Sequence, residues 1–558
     1  MNRLTSRLKA FLRRRVGAGS RLYWAIALSY SFFRHLPARL GLSAPPETEA
    51  ETAARILASS RPAAPAADPR DIVFFSVRGW RVHTLFESLL AARLRLDGHR
   101  VTVLTCEDSL PLCSYGSVNA PEPLQRPCDQ CGRIKNDAWG DALPREKLPG
   151  RGEWADPIDA RVESLDLEGC RRFEYDGAPY GELVHRGLVW HLHRSALRES
   201  DVPLYRQALV SAHATRRGLE SFLRTHRADT VLMLNGDFCP ERVAGWVLAK
   251  SGVRFITYDH AFYELFGVGV NQPVWDDLTF GDRARAIPPA GPGERARAEK
   301  MLREWRENGG YQGQIFWKKS DLGSRLDLRK KLGLDGRPLA VAYTSCSFEA
   351  NVGRKDRVFA DQTEWLSSLI RFFASKPQFQ LVIRVHPAEV RPGDWRSNES
   401  IHDFVLRNCA PLPGNVRLVG PGDRISSHRL GDLADSVLVY DSTIGIELAE
   451  RKKCVITAAH SHYADRGFTR DPAGPAGYFS TLTESLEHPG PLSGRERDVL
   501  VDYVAWLFFR RLTPFEAFGG FDRLWPRVNV RQAGDLLSKD FPGVERMARL
   551  VAGGPGWW

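Results

Sequence analysis

The sequence predicts an α/β protein made of two successive Rossmann-like domains with a cleft between them. Short apolar runs of strand length alternate with segments whose apolar residues recur at helical spacing. Glycine turns separate these segments, as in parallel βαβ units. The pattern stops at a charged stretch between residues 293 and 334 and then restarts. A chain of 558 residues has room for about three to four compact units.

The composition is that of a globular protein. Hydrophobic residues make up 43% and charged residues 26%, which excludes wholesale disorder, a collagen-like chain and a coiled-coil rod. No apolar run reaches the roughly 20 residues that cross a bilayer, so a polytopic membrane protein is excluded. The net charge of +11 favours anionic partners. No nucleic-acid-binding motif occurs, and we expect no nucleic-acid partner. Nine cysteines are too few for a disulfide-built scaffold and indicate a reducing compartment.

The first Rossmann-like domain is predicted over residues 69–325. A strand, a glycine turn, a helix from His83 and a second strand form a parallel βαβ unit. The strand pattern recurs twice more, and a polar insertion of about residues 106–160 interrupts the domain. The predicted strands cover residues 71–76, 101–105, 229–234 and 253–258.

The second Rossmann-like domain is predicted over residues 326–485, and residues 486–558 are predicted as a C-terminal helical region. Helical patterns, including residues 364–374 and 443–451, separate several of its strands. The strands are predicted at residues 339–344, 381–385, 416–419, 436–440 and 454–457. In an open α/β sheet, ligands bind at the carboxyl ends of the strands, and we expect the site there.

Residues 1–68 are predicted as a basic amphipathic arm followed by a linker that starts near residue 44. Residues 1–40 carry nine Lys and Arg and no acidic residue, around a mostly apolar run at residues 22–33. This arm fits an interfacial membrane helix; a signal peptide and a solvated basic arm are the alternatives. Residues 503–511 combine aromatic residues and arginines in the same way, with docking across the cleft as the alternative. We expect a peripheral protein on the anionic inner face of the cytoplasmic membrane.

The sharpest chemical signals follow the strands of the second domain. One strand ends at a His-Pro pair and another at a Ser-Thr pair that begins a helix. Imidazole, hydroxyl groups and the amino end of a helix can each bind a phosphate. A solvent-exposed turn histidine and a plain helix cap are the alternative interpretations. The candidate nucleotide-phosphate-binding residues at this edge are Ser345, Ser347, Arg384, His386, Pro387, Ser442, Thr443 and Glu447.

Four segments resemble the bacterial capsule polysaccharide synthesis proteins. They are residues 384–389 (Arg-Val-His-Pro-Ala-Glu), 440–448 (Tyr-Asp-Ser-Thr-Ile-Gly-Ile-Glu-Leu), 462–463 (His-Tyr) and 467–469 (Gly-Phe-Thr). That family is similar to GT-B glycosyltransferases that use CMP-activated sugars, including Kdo transferases and polysialyltransferases. The resemblance implies a GT-B-like fold. It also implies that His386, Pro387, Ser442 and Thr443 contact the phosphate and cytidine of the donor.

The catalytic base should come from the first domain, facing the nucleotide across the cleft. The strand at residues 253–258 ends at Asp259-His260, a carboxylate beside an imidazole. Such a pair is suited to deprotonating an acceptor hydroxyl. Asp237 and His83 follow neighbouring strands and are the rival candidates.

Four cysteines fall close together in the predicted insertion. Cys106, Cys113, Cys128 and Cys131 have the spacing C-x6-C-x14-C-x2-C, and four thiolates suit a structural tetrahedral zinc. An iron–sulfur cluster and free or disulfide-linked cysteines are the alternatives.

Together these patterns predict a glycosyltransferase of surface polysaccharide assembly, with a nucleotide-sugar donor and a lipid-linked or growing oligosaccharide acceptor. No cofactor is expected for the transfer, because side chains and helix dipoles can neutralise the leaving phosphate. A non-hydrolysing nucleotide-sugar epimerase shares the two-domain plan and is one alternative. A non-catalytic capsule assembly or export factor with a GT-B body is the other.

Overall fold

The computed structural model describes residues 47–62, 64–113, 128–148, 158–261, 265–281, 286–308, 325–346, 348, 356–390, 397–522 and 525–558. The predicted basic arm and Ser347 lie outside these residues. Within the described part of the chain, no helix is both long enough and apolar enough to cross a membrane.

The first domain is built on a seven-stranded sheet of order β12-β6-β5-β4-β1-β2-β3. Strands β3, β2, β1, β4 and β5 are parallel, and β6 and β12 extend the sheet in antiparallel pairing. The strands are β1 (Asp71–Phe75), β2 (Arg100–Thr105), β3 (Arg145–Lys147), β4 (Thr230–Leu234), β5 (Arg254–Ala261), β6 (Leu265–Val270) and β12 (Thr513–Pro514).

Helices cover both faces of this sheet and form a helical layer beside it. The long helix α7 packs against α6 and α8 around a separate apolar cluster. The helices are α1 (Glu49–Ser59), α2 (Arg81–Leu96), α3 (Cys128–Trp139), α4 (Ile158–Val162), α5 (Leu167–Arg171), α6 (Tyr180–Leu192), α7 (Val202–Thr225), α8 (Cys239–Lys250), α9 (Val274–Thr279) and α10 (Pro292–Asn308).

The second domain has a five-stranded, fully parallel sheet of order β11-β10-β7-β8-β9. Its strands are β7 (Leu339–Tyr343), β8 (Gln380–Arg384), β9 (Val416–Val419), β10 (Ser436–Val439) and β11 (Cys454–Thr457). Its helices are α11 (Arg325–Lys331), α12 (Gln362–Ser375), α13 (Ile401–Asn408), α14 (Ser427–Leu433), α15 (Ile444–Glu450) and α16 (Pro475–Glu487). The predicted α/β class with two Rossmann-like domains is confirmed.

The C-terminal region returns the chain to the first domain. It begins with α17 (Gly494–Trp506) and the π-helical turn Leu507–Arg511, and it ends with β13 (Phe518–Asp522), β14 (Trp525–Val528) and α18 (Pro542–Val551). Within it β12 joins the first sheet beside β6. A region predicted as helical therefore also contains strands, because pairing with a distant edge strand has no local sequence signal.

The helix α17 and its π-helical turn lie between the two domains. Tyr503, Trp506, Leu507 and Phe508 are all less than 5% exposed. They belong to a buried cluster that includes Ala261 and residues of both sheets. The aromatic residues of this segment therefore dock in the protein, which was the alternative to membrane contact.

The predicted linker contains a packed helix, α1. Thr48 and Glu51 form a capping box in which each side chain accepts a hydrogen bond from the backbone of the other. Ala53, Ile56 and Leu57 lie on one face and are fully buried against the first domain. Because Ala and Pro dominate the surrounding sequence, composition concealed a short amphipathic pattern that tertiary packing stabilises.

Candidate functional site

Three loops meet at the carboxyl edge of the second sheet. They follow β7, β8 and β10, which are parallel neighbours. The Ser345 hydroxyl donates a hydrogen bond to the carboxylate of Asp441, which directly follows Tyr440. The side chain of Gln362 accepts from the Ser345 backbone N–H at 2.6 Å and donates to its carbonyl at 3.1 Å. The loop after β7 is therefore fixed against both β10 and α12.

His386 lies in the loop after β8, and its imidazole is a neutral hydrogen-bond donor. Its backbone N–H donates to Thr344 Oγ1 at 2.9 Å, and its Nδ1 accepts from the Ala388 N–H at 3.2 Å. The Cys346 sulfur lies 3.2 Å from the same nitrogen. Burial, with a smaller contribution from the charge of Arg384, lowers the pKa of His386 to about 4. The imidazole is therefore neutral at pH 7, and its proton is on Nε2 because Nδ1 is an acceptor.

Ser442 and Thr443 form a tight turn between β10 and α15, and both are partly exposed. The Tyr463 hydroxyl donates a hydrogen bond to the Ser442 carbonyl. A Cβ on Gly445 would collide with that tyrosine ring and its hydroxyl, so the close approach requires glycine at this position. The side chain of Tyr463 therefore packs against this turn and stabilises it.

Two other predicted donor-binding residues have protein partners. Arg384 is 1% exposed, and its guanidinium bonds to the Gly420 carbonyl and to Ser427. Burial lowers its pKa to about 10. The carboxylate of Glu447 is bonded to His428 Nε2. Both side chains therefore fix the loops around the edge, while Pro387 is partly exposed beside His386.

The facing edge of the first sheet brings Asp259, His260 and His83 together. Each offers a ligand atom within 4.8 Å of the others. Asp259 Oδ1 accepts from the His260 backbone N–H at 2.8 Å and lies 3.4 Å from His260 Nδ1. Its Oδ2 accepts from Trp275 Nε1 at 3.1 Å and from Asn235 Nδ2 at 3.4 Å. The structure thus joins the predicted pair to one of its rivals.

The surroundings of His83 and Asp259 shift their pKa values and so fix their protonation states. Burial, followed by the charge of neighbouring His260, lowers the pKa of His83 to about 3, and it is therefore neutral at pH 7. Burial alone would raise the pKa of Asp259, but the contact with His260, followed by smaller contributions from His83 and Trp275, lowers it. Asp259 is therefore an anion held beside two imidazoles.

The remaining rival, Asp237, is engaged in ion pairs. It is 1% exposed, and its Oδ1 lies 2.8 Å from Arg186 and 3.4 Å from Arg242. Two guanidinium groups balance the charge of this buried carboxylate, and removing one of them would be costly. Asp237 therefore fits a structural role better than that of a base.

Side chains bridge the cleft and hold the two edges opposite each other. The rings of His193 and Phe348 stack with centroids 3.9 Å apart, and those of Phe280 and His460 lie 5.5 Å apart. The backbone N–H of Asn398 donates to the His193 carbonyl at 2.9 Å. Phe348 and His460 follow β7 and β11, so these contacts attach the carboxyl edge of the second sheet to the first domain.

The four clustered cysteines are not gathered into a metal-binding group. Among the described side chains, His83, Asp259 and His260 form the one group of three or more ligand atoms within 4.8 Å of one another. Cys106 Sγ instead contacts the Val77 carbonyl at 3.3 Å, and Cys131 Sγ accepts from the Gly79 N–H at 3.0 Å. A tetrahedral zinc site would require the thiols to move together, and structural zinc stays a prediction.

Several residues of the site were not among the predicted ones. Asp441 and Tyr463 lie inside the segments that carry the family resemblance. That position in the sequence was a signal that could have identified them as site residues. Gln362, Asn235 and Trp275 reach the site from other elements and had no local signal. The structure therefore adds the groups that orient the predicted side chains.

Comparison with known proteins gives structural neighbours only. No family model and no curated protein sequence matches the chain. A KpsC beta Kdo 2,4 transferase of Thermosulfurimonas dismutans is similar at 14% identity over 56% of this chain and 88% of that one, with a TM-score of 0.35. The KpsC beta Kdo 2,7 transferase from that organism has 13% identity over 60% and 89%, with a TM-score of 0.34. A putative UDP-N-acetylglucosamine 2-epimerase from Listeria monocytogenes has 10% identity over 84% and 95%, with a TM-score of 0.24.

Proposed function

We propose that this protein is a GT-B glycosyltransferase that moves a sugar from a nucleotide donor, with a CMP-sugar favoured, to a surface or capsular polysaccharide acceptor. The observation that carries the proposal is the facing of two sheet edges across one cleft. One edge presents hydroxyls and a neutral imidazole, and the other presents a carboxylate with two imidazoles.

The edge of the second sheet fits the nucleotide part of the donor. Ser442 and Thr443 offer hydroxyls, and His386 offers an Nε2–H, all of them donors suited to phosphate oxygens. A neutral imidazole donates a hydrogen bond without having to lose a proton first. Asp441 sits beside Ser345 and would repel a phosphate placed against it, so we assign the ribose or base to that end of the edge. Glu447 and Arg384 position these loops rather than touch the donor.

The edge of the first sheet fits the acceptor hydroxyl. The His260 side chain is 34% exposed, whereas Asp259 is 15% exposed. This arrangement suits an imidazole that reaches the acceptor and a carboxylate that orients it. Asn235 and Trp275 hold the other carboxylate oxygen and keep Asp259 in place. We therefore assign acceptor activation to Asp259 and His260.

The composition of the N-terminal arm supports the acceptor and the location in this proposal. Nine basic residues without an acidic one in residues 1–40 favour an anionic membrane surface. A lipid-linked glycan presented at the inner face of the cytoplasmic membrane would lie within reach of an enzyme attached there.

A nucleotide screen by thermal shift tests the donor assignment. At a concentration 100 times its Kd, a ligand of the native state stabilises it by about 2.7 kcal/mol. We expect CMP to raise the melting temperature more than CDP, UDP or GDP does. His386→Ala and Ser442→Ala should lose this shift, and the exposed controls His488→Ala and Ser480→Ala should keep it. Equal or absent shifts for all four nucleotides would contradict the donor assignment.

A further inference from the structure

Three side chains of metal-ligand type meet at the carboxyl edge of the first sheet. His83 lies in the first turn of α2, the helix that follows β1 in the chain. Asp259 and His260 lie at the carboxyl end of β5. Strand β4 separates β1 from β5, so the three residues converge on the sheet edge from both sides of that strand. Their ligand atoms all lie within 4.8 Å of one another.

Both imidazoles have a buried nitrogen that lacks a hydrogen bond, although His260 Nδ1 lies 3.4 Å from Asp259 Oδ1. His83 Nδ1 and His260 Nδ1 are buried and form no hydrogen bond. A buried polar atom without a partner costs about 1 to 3 kcal/mol, and two such atoms beside one carboxylate are unusual. His83 cannot turn away easily, because its ring lies against Trp80, Tyr258 and His260 at centroid distances of 5.9, 5.8 and 5.2 Å.

The carboxylate is oriented in the way that metal-ligating carboxylates are. Asp259 Oδ2 accepts hydrogen bonds from Trp275 and Asn235, so Oδ1 is directed toward the His260 imidazole. Outer hydrogen bonds of this kind fix the geometry of a first ligand before the ion binds.

We infer that His83, Asp259 and His260 form a binding site for one divalent cation of the zinc class. Two imidazoles and one carboxylate favour a borderline ion such as Zn²⁺ or Co²⁺ over Mg²⁺ or Ca²⁺, which prefer oxygen ligands. Three protein ligands leave at least one coordination position open. Because His260 is partly exposed, that position would open toward the cleft and take an oxygen ligand, water in the free protein.

This inference rests on the proposed function for its role but not for its test. In a transferase the open position would take the acceptor hydroxyl, whose pKa the ion would lower. The ion would lie on the acceptor side, apart from the donor phosphate. Asp259 and His260 would then act on the hydroxyl through the ion.

Cobalt binding to the full-length chain tests the site directly. Protein stripped with a chelator is titrated with CoCl₂ alone, and the visible absorption of four- or five-coordinate Co²⁺ is recorded. We expect about one equivalent with no near-UV thiolate charge-transfer band. His83→Gln and Asp259→Asn should each lose the signal. Trp275→Phe should weaken cobalt binding by about 10-fold, because it removes an outer hydrogen bond. The matched control is His226→Gln, a partly exposed imidazole at the end of α7.

Three results would overturn the inference: no visible cobalt signal in wild type, an unchanged signal in a folded Asp259→Asn variant, or a thiolate band alone. The last would assign cobalt to cysteines. X-ray absorption of the cobalt-loaded wild type counts the imidazole ligands and decides the matter even where a variant does not fold. Cobalt bound here by a chain that transfers no sugar would refute the proposed function alone. Sugar transfer by a chain that binds no ion would refute this inference alone.

Discussion

The turn that presents Ser442 and Thr443 should depend on the absence of a side chain at Gly445. In Gly445→Ala the new methyl group would meet the Tyr463 ring and hydroxyl at less than van der Waals distance. Both residues are buried, so the strain cannot be relieved into solvent. Overpacking of this kind costs about 1 to 3 kcal/mol. Displacing the tyrosine would also cost about 1 kcal/mol for its hydrogen bond to the Ser442 carbonyl.

A double-mutant cycle measures this contact. We expect Gly445→Ala to lower the free energy of unfolding by about 2 to 4 kcal/mol and to reduce nucleotide binding. In a Tyr463→Leu background the same change should cost less than about 1 kcal/mol, because the colliding ring is gone. Gly336→Ala is the control, since nothing lies near its Cβ. Equal costs in the two backgrounds, measured by urea unfolding, would refute the packing argument.

Two further predictions concern pH and the membrane. Burial, opposed by hydrogen bonds from Ser76 and Tyr258, raises the pKa of Glu87 from 4.5 to about 7. The folded state then holds a proton that the unfolded chain releases, so the free energy of unfolding should fall by up to about 3 kcal/mol as pH rises from 4.5 to 7. Glu87→Gln should flatten that fall in urea titrations, and an unchanged slope would contradict it. Deleting residues 1–45 should release the protein from anionic vesicles at low salt without changing nucleotide binding. A full-length chain that does not sediment with vesicles refutes the membrane role.

Local patterns predicted the two sheets because their strands are short, apolar and separated by amphipathic helices. Strands β9 and β11 were predicted with their observed bounds, and the other predicted strands end within a few residues of their predicted limits. Strands β3, β6, β12, β13 and β14 were not predicted. Strand β12 pairs with β6, Thr513 opposite Phe266 and Pro514 opposite Leu265, and no local periodicity reports a contact between such distant parts of the sequence.

The candidate site shows the same division between local and distant information. The sequence placed His386 and Ser442 at strand ends, which parallel pairing then brings to one edge. It did not indicate that Arg384 would turn inward. That side chain points from the last residue of β8 to the loop after β9 and bonds to Gly420 there. Nor did it indicate that His83 would join Asp259, since α2 and β5 are brought together only by the order of the strands.

Measuring sugar transfer is the most direct test of the proposed function. The measurement is incorporation of labelled sugar from a CMP-activated donor, CMP-Kdo first, into bacterial surface glycolipid by the full-length protein. We expect incorporation with release of CMP, its loss in His386→Ala and Ser442→Ala, and normal rates in His488→Ala and Ser480→Ala. Incorporation at the wild-type rate by the two site variants, or none from any CMP-, UDP- or GDP-sugar by the folded wild type, would contradict it.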